Sequence, residues 1–243
     1  MKITIVSVVF NAVNDIEKTI QSIINQTYND IEYIIIDGES SDGTIDILKR
    51  YEPEISKLII EKDKGLYDAM NKALDFATGD YLIFMNSGDT FVTRYVVEGV
   101  ANSLKINDAV YYGNVIYLNT KEKSATFFGG YFGKHRLCMK NICHQAIFYP
   151  KSVYKTRKYD LTYKIFADYI YNISLKADNV RFIYIKSIIS FFELGGLSST
   201  GDEQISKHKG KIILKKFGLY YYIYYILKKN IRVRSLLKFA KRV

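Results

Sequence analysis

The chain of 243 residues is 48% apolar, 25% charged and 15% aromatic, with two prolines, two cysteines and a formal net charge of +10. That composition excludes intrinsic disorder and a disulfide-built scaffold, and the scarcity of cysteine points to a reducing compartment. The charge is polarised: from Gln204 onward twelve Lys or Arg meet no Asp or Glu, whereas residues 1–203 have a net charge of −2.

No apolar run approaches the roughly 18 residues of a membrane-spanning helix. Ile3–Phe10 is too short for the apolar core of a signal peptide and reads as a first strand. Residues 2–10 (KITIVSVVF) are β-branched and nearly all apolar, as in a strand covered on both faces. Asn14 and Glu17 have the spacing of a capping pair, and Ile16, Ile20, Ile23 and Ile24 share one helical stripe. A second strand over Glu32–Asp37 ends in the polar loop Gly38–Gly43. A helix through Ile45, Leu48 and Tyr51 is closed by Pro53, and Lys57–Glu61 forms a third strand. Tyr67–Ala77 is a helix stopped by Gly79, and Tyr81–Met85 a fourth strand. Strands alternating with helices predict an α/β fold with a doubly wound, mainly parallel sheet.

Beyond residue 106 the pattern changes. Ala109–Leu118 and Ala125–Tyr131 read as antiparallel strands, Gln145–Tyr149 as another strand and Phe166–Lys176 as a helix. Arg181–Phe192 is a strand pair or one long bent strand. The expected division is residues 1–105, a mixed α+β half of the same domain over 106–203, and a basic helical tail over 204–243.

Ligands of open α/β sheets gather beyond the carboxyl ends of the strands. Here those ends are Phe10–Asn11, Asp37–Gly38, Lys62–Gly65 and Asn86–Asp89, all polar or glycine-containing. Asp37 has two readings. It can meet a nucleotide's ribose or base edge, or it can hold its own loop by accepting from the amides of Ser40 or Ser41. The first strand–helix turn, FNAVND, has no G-x-G-x-x-G, which argues against a dinucleotide. Asp89, at the end of Asn86-Ser87-Gly88-Asp89, suits a divalent cation bridging phosphate oxygens, although the tripeptide Ser87-Gly88-Asp89 also makes an ordinary turn.

The segments VSVVFNAVNDIEKTIQSIINQTYNDIEYIIIDGESSDGT and DKGLYDAMNKALDFATGDYLIFMNSGD resemble a family 2 glycosyltransferase of the GT-A fold, and a weaker likeness continues through ICHQAIFYP, FADY and FFELGGLSS. The resemblance implies an inverting, metal-dependent transferase, moving a hexosyl or N-acetylhexosaminyl group from a nucleotide diphospho-sugar, by family weight a UDP-sugar. Residues 1–105 become the nucleotide-sugar half and 106–203 the acceptor half. It implies that Val9, Phe10 and Asn11 line the base pocket, that Asp37 accepts from base or ribose, and that Gly65 and Asp68 lie in a loop closing over the nucleotide. Ser87 and Gly88 fall beside the nucleotide, and Asp89 takes the last position of the metal-binding acidic motif, with Mn or Mg as cofactor. Asn86 departs from the Asp common at the start of that motif. Asp168 matches the family's general base, although Ala167 replaces the usual preceding Glu; a helix-stabilising role is the alternative. His144, Gln145, Gly195, Gly196 and Ser198 are placed near the diphosphate or acceptor. Cys138 and Cys143 do not have a zinc spacing with His144.

In the tail, Phe217, Tyr220, Tyr224, Leu227 and Ile231 recur at three and four residues, and Val233, Leu236, Leu237 and Ala240 continue the stripe among basic residues. This predicts contact with an anionic membrane surface, against packing on the body or in a homodimer. The expected acceptor is a polyprenyl-diphosphate-linked saccharide, and the expected location is cytoplasmic, peripheral on the inner face of the cell membrane. Two other functions compete: a catalytically silent nucleotide-binding module, and a nucleic-acid-binding protein using the tail. The second leaves the acid-lined crevice unexplained, so nucleic acid is not expected as a partner.

Overall fold

A computed structural model describes residues 1–195 and 203–240, with side chains described to residue 195 and from 208 to 231. The first strands are β1 (Ile3–Val9), β2 (Ile31–Asp37), β3 (Lys57–Ile60) and β4 (Tyr81–Phe84). They pair in the order β3-β2-β1-β4, all parallel. Helices α1 (Ile16–Ile24), α2 (Thr44–Arg50) and α3 (Leu66–Phe76) connect them.

The uniform apolarity of these strands has a direct cause. Alternate side chains point to opposite faces, and both faces are covered. Val6, Val8, Ile34, Ile36, Leu82 and Phe84 pack under α3, in the same core as Met70 and Leu74. Ile3, Ile5, Val9, Tyr33, Ile35 and Ile83 pack on the other face with Ile16, Ile20 and Ile23 of α1 and Leu48 of α2.

The second half continues the sheet. β5 (Thr90–Phe91), α4 (Val96–Ala101), β6 (Val110–Asn119), β7 (Ser124–Phe128), α5 (Lys134–Met139), β8 (Ile147–Pro150), α6 (Lys151–Tyr154), α7 (Ala167–Ala177) and β9 (Phe182–Glu193) follow in order. β8 joins β4 antiparallel, and the order runs on through β6 and β9 to β5, with β7 on β6. β9 is one long strand whose pairing with β6 shifts register around Asn114. The sheet is therefore parallel in its first half and mixed in its second.

Three local expectations are corrected. Asn14 and Glu17 do not cap α1, which begins after Asp15 with no side-chain cap bond; Glu17 instead accepts from the Tyr51 hydroxyl at 2.8 Å. Gly79 does not end α3, since Ala77 already does. A Cβ at Gly79 would stand 2.8 Å from the Thr4 backbone nitrogen, so the glycine is required for close approach to β1. Gln145 lies in a single 3-10 turn, His144–Ala146, just before β8 rather than in the strand.

α8 (Glu203–Phe217) and α9 (Leu219–Ala240) form the tail. Gly218, at φ +89°, turns the chain between them. α9 packs inward through Tyr225, which is buried with Cys138 and Ile213. Phe217 and Tyr224 are partly buried with this group, so the expected apolar row is rotated: Leu227 and Ile231 face outward, joined by Leu219 and Ile223, while Tyr220 is largely exposed but meets His135 Nε2 through its hydroxyl at 3.0 Å. The side chains of Val233, Leu236, Leu237 and Ala240 lie outside the described residues. Among the described residues no helix is long and apolar enough to cross a membrane.

Candidate active site

The carboxyl ends of β1, β2 and β4 and the loop before α3 carry the polar groups. At the β2 end, Asp37 is fully buried and makes the loop-holding contact: its two oxygens accept from the Ser40 amide at 2.8 Å and the Ser40 hydroxyl at 2.6 Å. Ser40 Oγ in turn accepts from the Asn11 amide at 2.8 Å, and Asn11 Oδ1 accepts from the Ser41 amide at 2.9 Å. Asn11 sits at φ +47°, a left-handed turn that Asn tolerates. Asp37 thus ties the first turn to the second and presents no surface of its own. Val9 is likewise buried in the core.

Phe10 behaves differently. Its ring is 63% exposed. A Cβ on Gly38 would meet Phe10 Cδ2 at 3.2 Å and Asp63 Oδ2 at 2.6 Å, so ring, glycine and carboxylate share one small space. Asp63 also accepts from the Gly65 amide at 2.7 Å, while Asp68 accepts from the Lys64 amide at 3.0 Å and fixes the start of α3. The sequence motifs assign no role to Asp63, which opens the D-K-G segment two residues before Gly65.

The end of β4 carries a continuous polar chain. Asn86 Oδ1 accepts from the Val8 amide at 3.3 Å, and its Nδ2 donates to His144 Nε2 at 3.2 Å. An amide nitrogen only donates, so in the neutral ring the proton sits on Nδ1, which faces Asp168 Oδ2 at 3.4 Å. Asp168, in the first turn of α7 and 6% exposed, also accepts from Asn141 Nδ2 at 2.6 Å and from the Tyr67 hydroxyl at 2.9 Å. Burial and the adjacent carboxylate push the Tyr67 phenol far up, which keeps it a donor. Asn141 is oriented by Asn172 at 3.0 Å, and Asn172 by the Tyr149 hydroxyl at 2.9 Å. Tyr67 and Asn141 carry no pattern that assigns them this role from sequence.

Gln145, one residue after His144, serves the other acid. Its Nε2 donates to Asp89 Oδ2 at 2.7 Å, and the Glu193 amide donates to Oδ1 at 3.3 Å. Cys143 Sγ donates to Gln145 Oε1 at 2.9 Å, setting the amide's orientation. Burial pushes Asp89 up to about 7. Ser87 and Gly88 are partly exposed in the same turn, with the Gly88 amide donating to Thr19 at 3.0 Å. Gly195 is exposed at φ +116°, two residues beyond Glu193, and Gly196 and Ser198 lie outside the described residues.

The donor set at Asp89 does not fit a protein-only cation cage. Both oxygens are engaged, and among the described residues no three His, Cys, Asp or Glu converge on a possible metal position. A concavity of about 410 Å³ lined by Met1, Asp80, Asp108 and Lys151 lies at the opposite, amino end of β4.

The chain is similar to known proteins along most of its length. Residues 4–169 match the family described as Glycosyl transferase family 2. A PGL/p-HBAD biosynthesis glycosyltransferase of Mycobacterium tuberculosis is 36% identical over 191 residues, covering 74% of this chain and 73% of that protein. The cholesterol galactosyltransferase of Borreliella burgdorferi is 26% identical over 248 residues, covering 90% and 69%. Among solved structures, Staphylococcus aureus TarS in complex with UDP-GlcNAc superposes with a TM-score of 0.69 at 14% identity, covering 89% of this chain and 67% of that one. The mannosyltransferase PcManGT of Pyrobaculum calidifontis, in complex with GDP-Man and Mn2+, gives 0.66 at 15% identity, covering 92% and 69%. The fold is that of the GT-A glycosyltransferases, and the chain belongs to glycosyl transferase family 2.

Proposed function

We propose that this glycosyltransferase moves a sugar from a nucleotide diphospho-sugar to an acceptor hydroxyl with inversion, using Asp168 as general base. The observation that carries the reading is Asp168 itself: a buried carboxylate whose oxygens accept from Tyr67 and Asn141 and which His144 links to the β4 turn. Asp168 takes the acceptor hydroxyl's proton while that oxygen bonds to the anomeric carbon. The bond from that carbon to the diphosphate breaks, and its electron pair leaves with the nucleoside diphosphate. Tyr67 and Asn141 hold the carboxylate so that one oxygen lone pair remains for the incoming hydroxyl. Phe10 offers its exposed face to the nucleobase. Val9, Asn11 and Asp37 contribute by shaping the two turns beside it, and Gly65, Asp68, Ser87 and Gly88 by backbone groups around the nucleotide. His144, Gln145 and Gly195 lie toward the diphosphate and acceptor.

A divalent cation bound at Asp89 would draw most of its ligands from the donor's diphosphate. A UDP-sugar is the donor favoured here, supported by the UDP-GlcNAc complex of TarS, whereas PcManGT holds GDP-Man. The acceptor proposed is a lipid-linked saccharide met at the inner face of the cell membrane; among the relatives, one is named for transfer to a lipid, cholesterol.

A panel of sugar nucleotides tests the reading, with thermal stabilisation and release of nucleoside diphosphate measured together. Stabilisation by one donor, followed by acceptor-dependent release, is expected. A protein stabilised by no nucleotide sugar would contradict it.

A further inference from the structure

The tail helix α9 uses one side to hold the body and leaves the other apolar side outward. On the inner side, His135 of α5 stands 4.9 Å from the Tyr221 ring and 4.8 Å from the Tyr224 ring, centroid to centroid, and Tyr225 is buried with Cys138 and Ile213. Lys209 lies over the rings of Tyr169 and Tyr225, further joining the tail to α7. The helix is therefore attached to the body whatever covers its far side.

On the outer side, Leu219, Ile223, Leu227 and Ile231 are 49 to 64% exposed, while Tyr220 beside them, also largely exposed, meets His135 Nε2 through its hydroxyl at 3.0 Å. These four recur every fourth residue and form one row along the helix. Single exposed apolar residues need no explanation, but a row of four large ones marks a contact surface.

The surrounding charge selects the occupant. Lys215 and Lys216 occupy the last turn of α8; Lys228 and Lys229 are exposed on α9, each with its ammonium 6.0 Å from the ring centroid of Tyr224 and Tyr225 respectively, at the flank of the helix away from the row. The sequence adds Arg232, Arg234, Lys238, Lys241 and Arg242, with no acid after Glu203. A second copy of the chain seated on this row would bring two such cationic segments together, and like charges oppose that pairing. A nucleic acid would satisfy the lysines and leave leucine and isoleucine in water. An anionic bilayer satisfies both: headgroups take the cations while the row enters the boundary of the acyl region.

We infer that the outward face of α9, Leu219 to Ile231, is a docking surface for an anionic lipid bilayer. This stands on the tail alone and does not depend on the transfer chemistry.

The full chain is to be sedimented with vesicles of phosphatidylglycerol and phosphatidylcholine, and with phosphatidylcholine alone, at about 50 and about 500 mM salt. Pelleting with the anionic vesicles at low salt, reduced at high salt and absent without the anionic lipid, is expected. Ile223→Glu combined with Leu227→Glu lies outside the active site and is expected to weaken this binding at least tenfold at unchanged melting temperature. If that variant loses helix content, Lys215→Gln with Lys216→Gln decides instead, with a several-fold loss expected. Failure of the full chain to pellet with anionic vesicles at low salt, or variants that pellet like the parent, would overturn the inference. So would a dimer in sedimentation velocity that the Glu variant dissolves, since a second copy would then occupy the face.

Discussion

His144 and Gln145, adjacent in one 3-10 turn, engage two different carboxylates: His144 Nδ1 faces Asp168 at 3.4 Å, and Gln145 Nε2 donates to Asp89 at 2.7 Å. A single short turn thereby fixes the spacing between the acid proposed to act on the acceptor and the acid at the β4 turn. Side chains whose rotamers are locked by such contacts keep reacting groups in place.

The burial of Asp89 makes stability depend on pH. Its ordinary value is 3.8, and burial raises it to about 7. Between those values the folded chain holds a proton that the unfolded chain releases, so raising the pH through this window removes stability. Asp89→Asn lacks this component. The stability of the parent relative to the variant, from urea unfolding, is expected to fall by roughly 2–3 kcal/mol from pH 5 to pH 8. A difference independent of pH would contradict the assignment.

Phe10 is exposed and contributes little to the core, so its removal separates binding from folding. Phe10→Ala is expected to weaken nucleotide binding by about 1–3 kcal/mol, the usual range for loss of a base-stacking ring. Its melting temperature should barely change. Isothermal titration with the preferred nucleoside diphosphate checks this, and unaltered affinity would remove Phe10 from the pocket.

Because no three His, Cys, Asp or Glu among the described residues converge on a possible metal position, manganese by itself should not stabilise the protein. A shift in melting temperature is expected only when manganese and a nucleoside diphosphate are present together. Stabilisation by manganese alone would show a protein-only site that this donor set does not contain.

Much of the architecture was legible because it rests on local periodicity. β1, β2 and β4 have apolar side chains on both faces, and the stripes of α1 and α3 repeat at helical intervals. β5, with only two residues, and α6, with four, are too short to show a period. α5 (KHRLCM) lacks a clean stripe because its surroundings are set by α7 and α9, far away in sequence. The site divides in the same way. Phe10, Asp37, Asp89 and Asp168 stand at strand or helix ends that sequence locates. Tyr67, Asn141 and Asn172 reach Asp168 only through tertiary packing, and the second reading of Asp37, as a loop holder, is the one the geometry displays. The tail was half legible: spacing revealed an apolar row, but which side of the row turns inward depends on His135 and Cys138.

The assignment of Asp168 as the base is tested most directly by Asp168→Asn, which keeps the side chain's size and an oxygen able to accept from Tyr67 or Asn141. Transfer is measured in single turnover with the preferred donor and acceptor, beside donor affinity by titration. Loss of the base is expected to slow transfer by about 10²–10⁴-fold, with donor affinity within about threefold of the parent. Transfer at the parent's rate in a correctly folded Asp168→Asn protein would contradict the account.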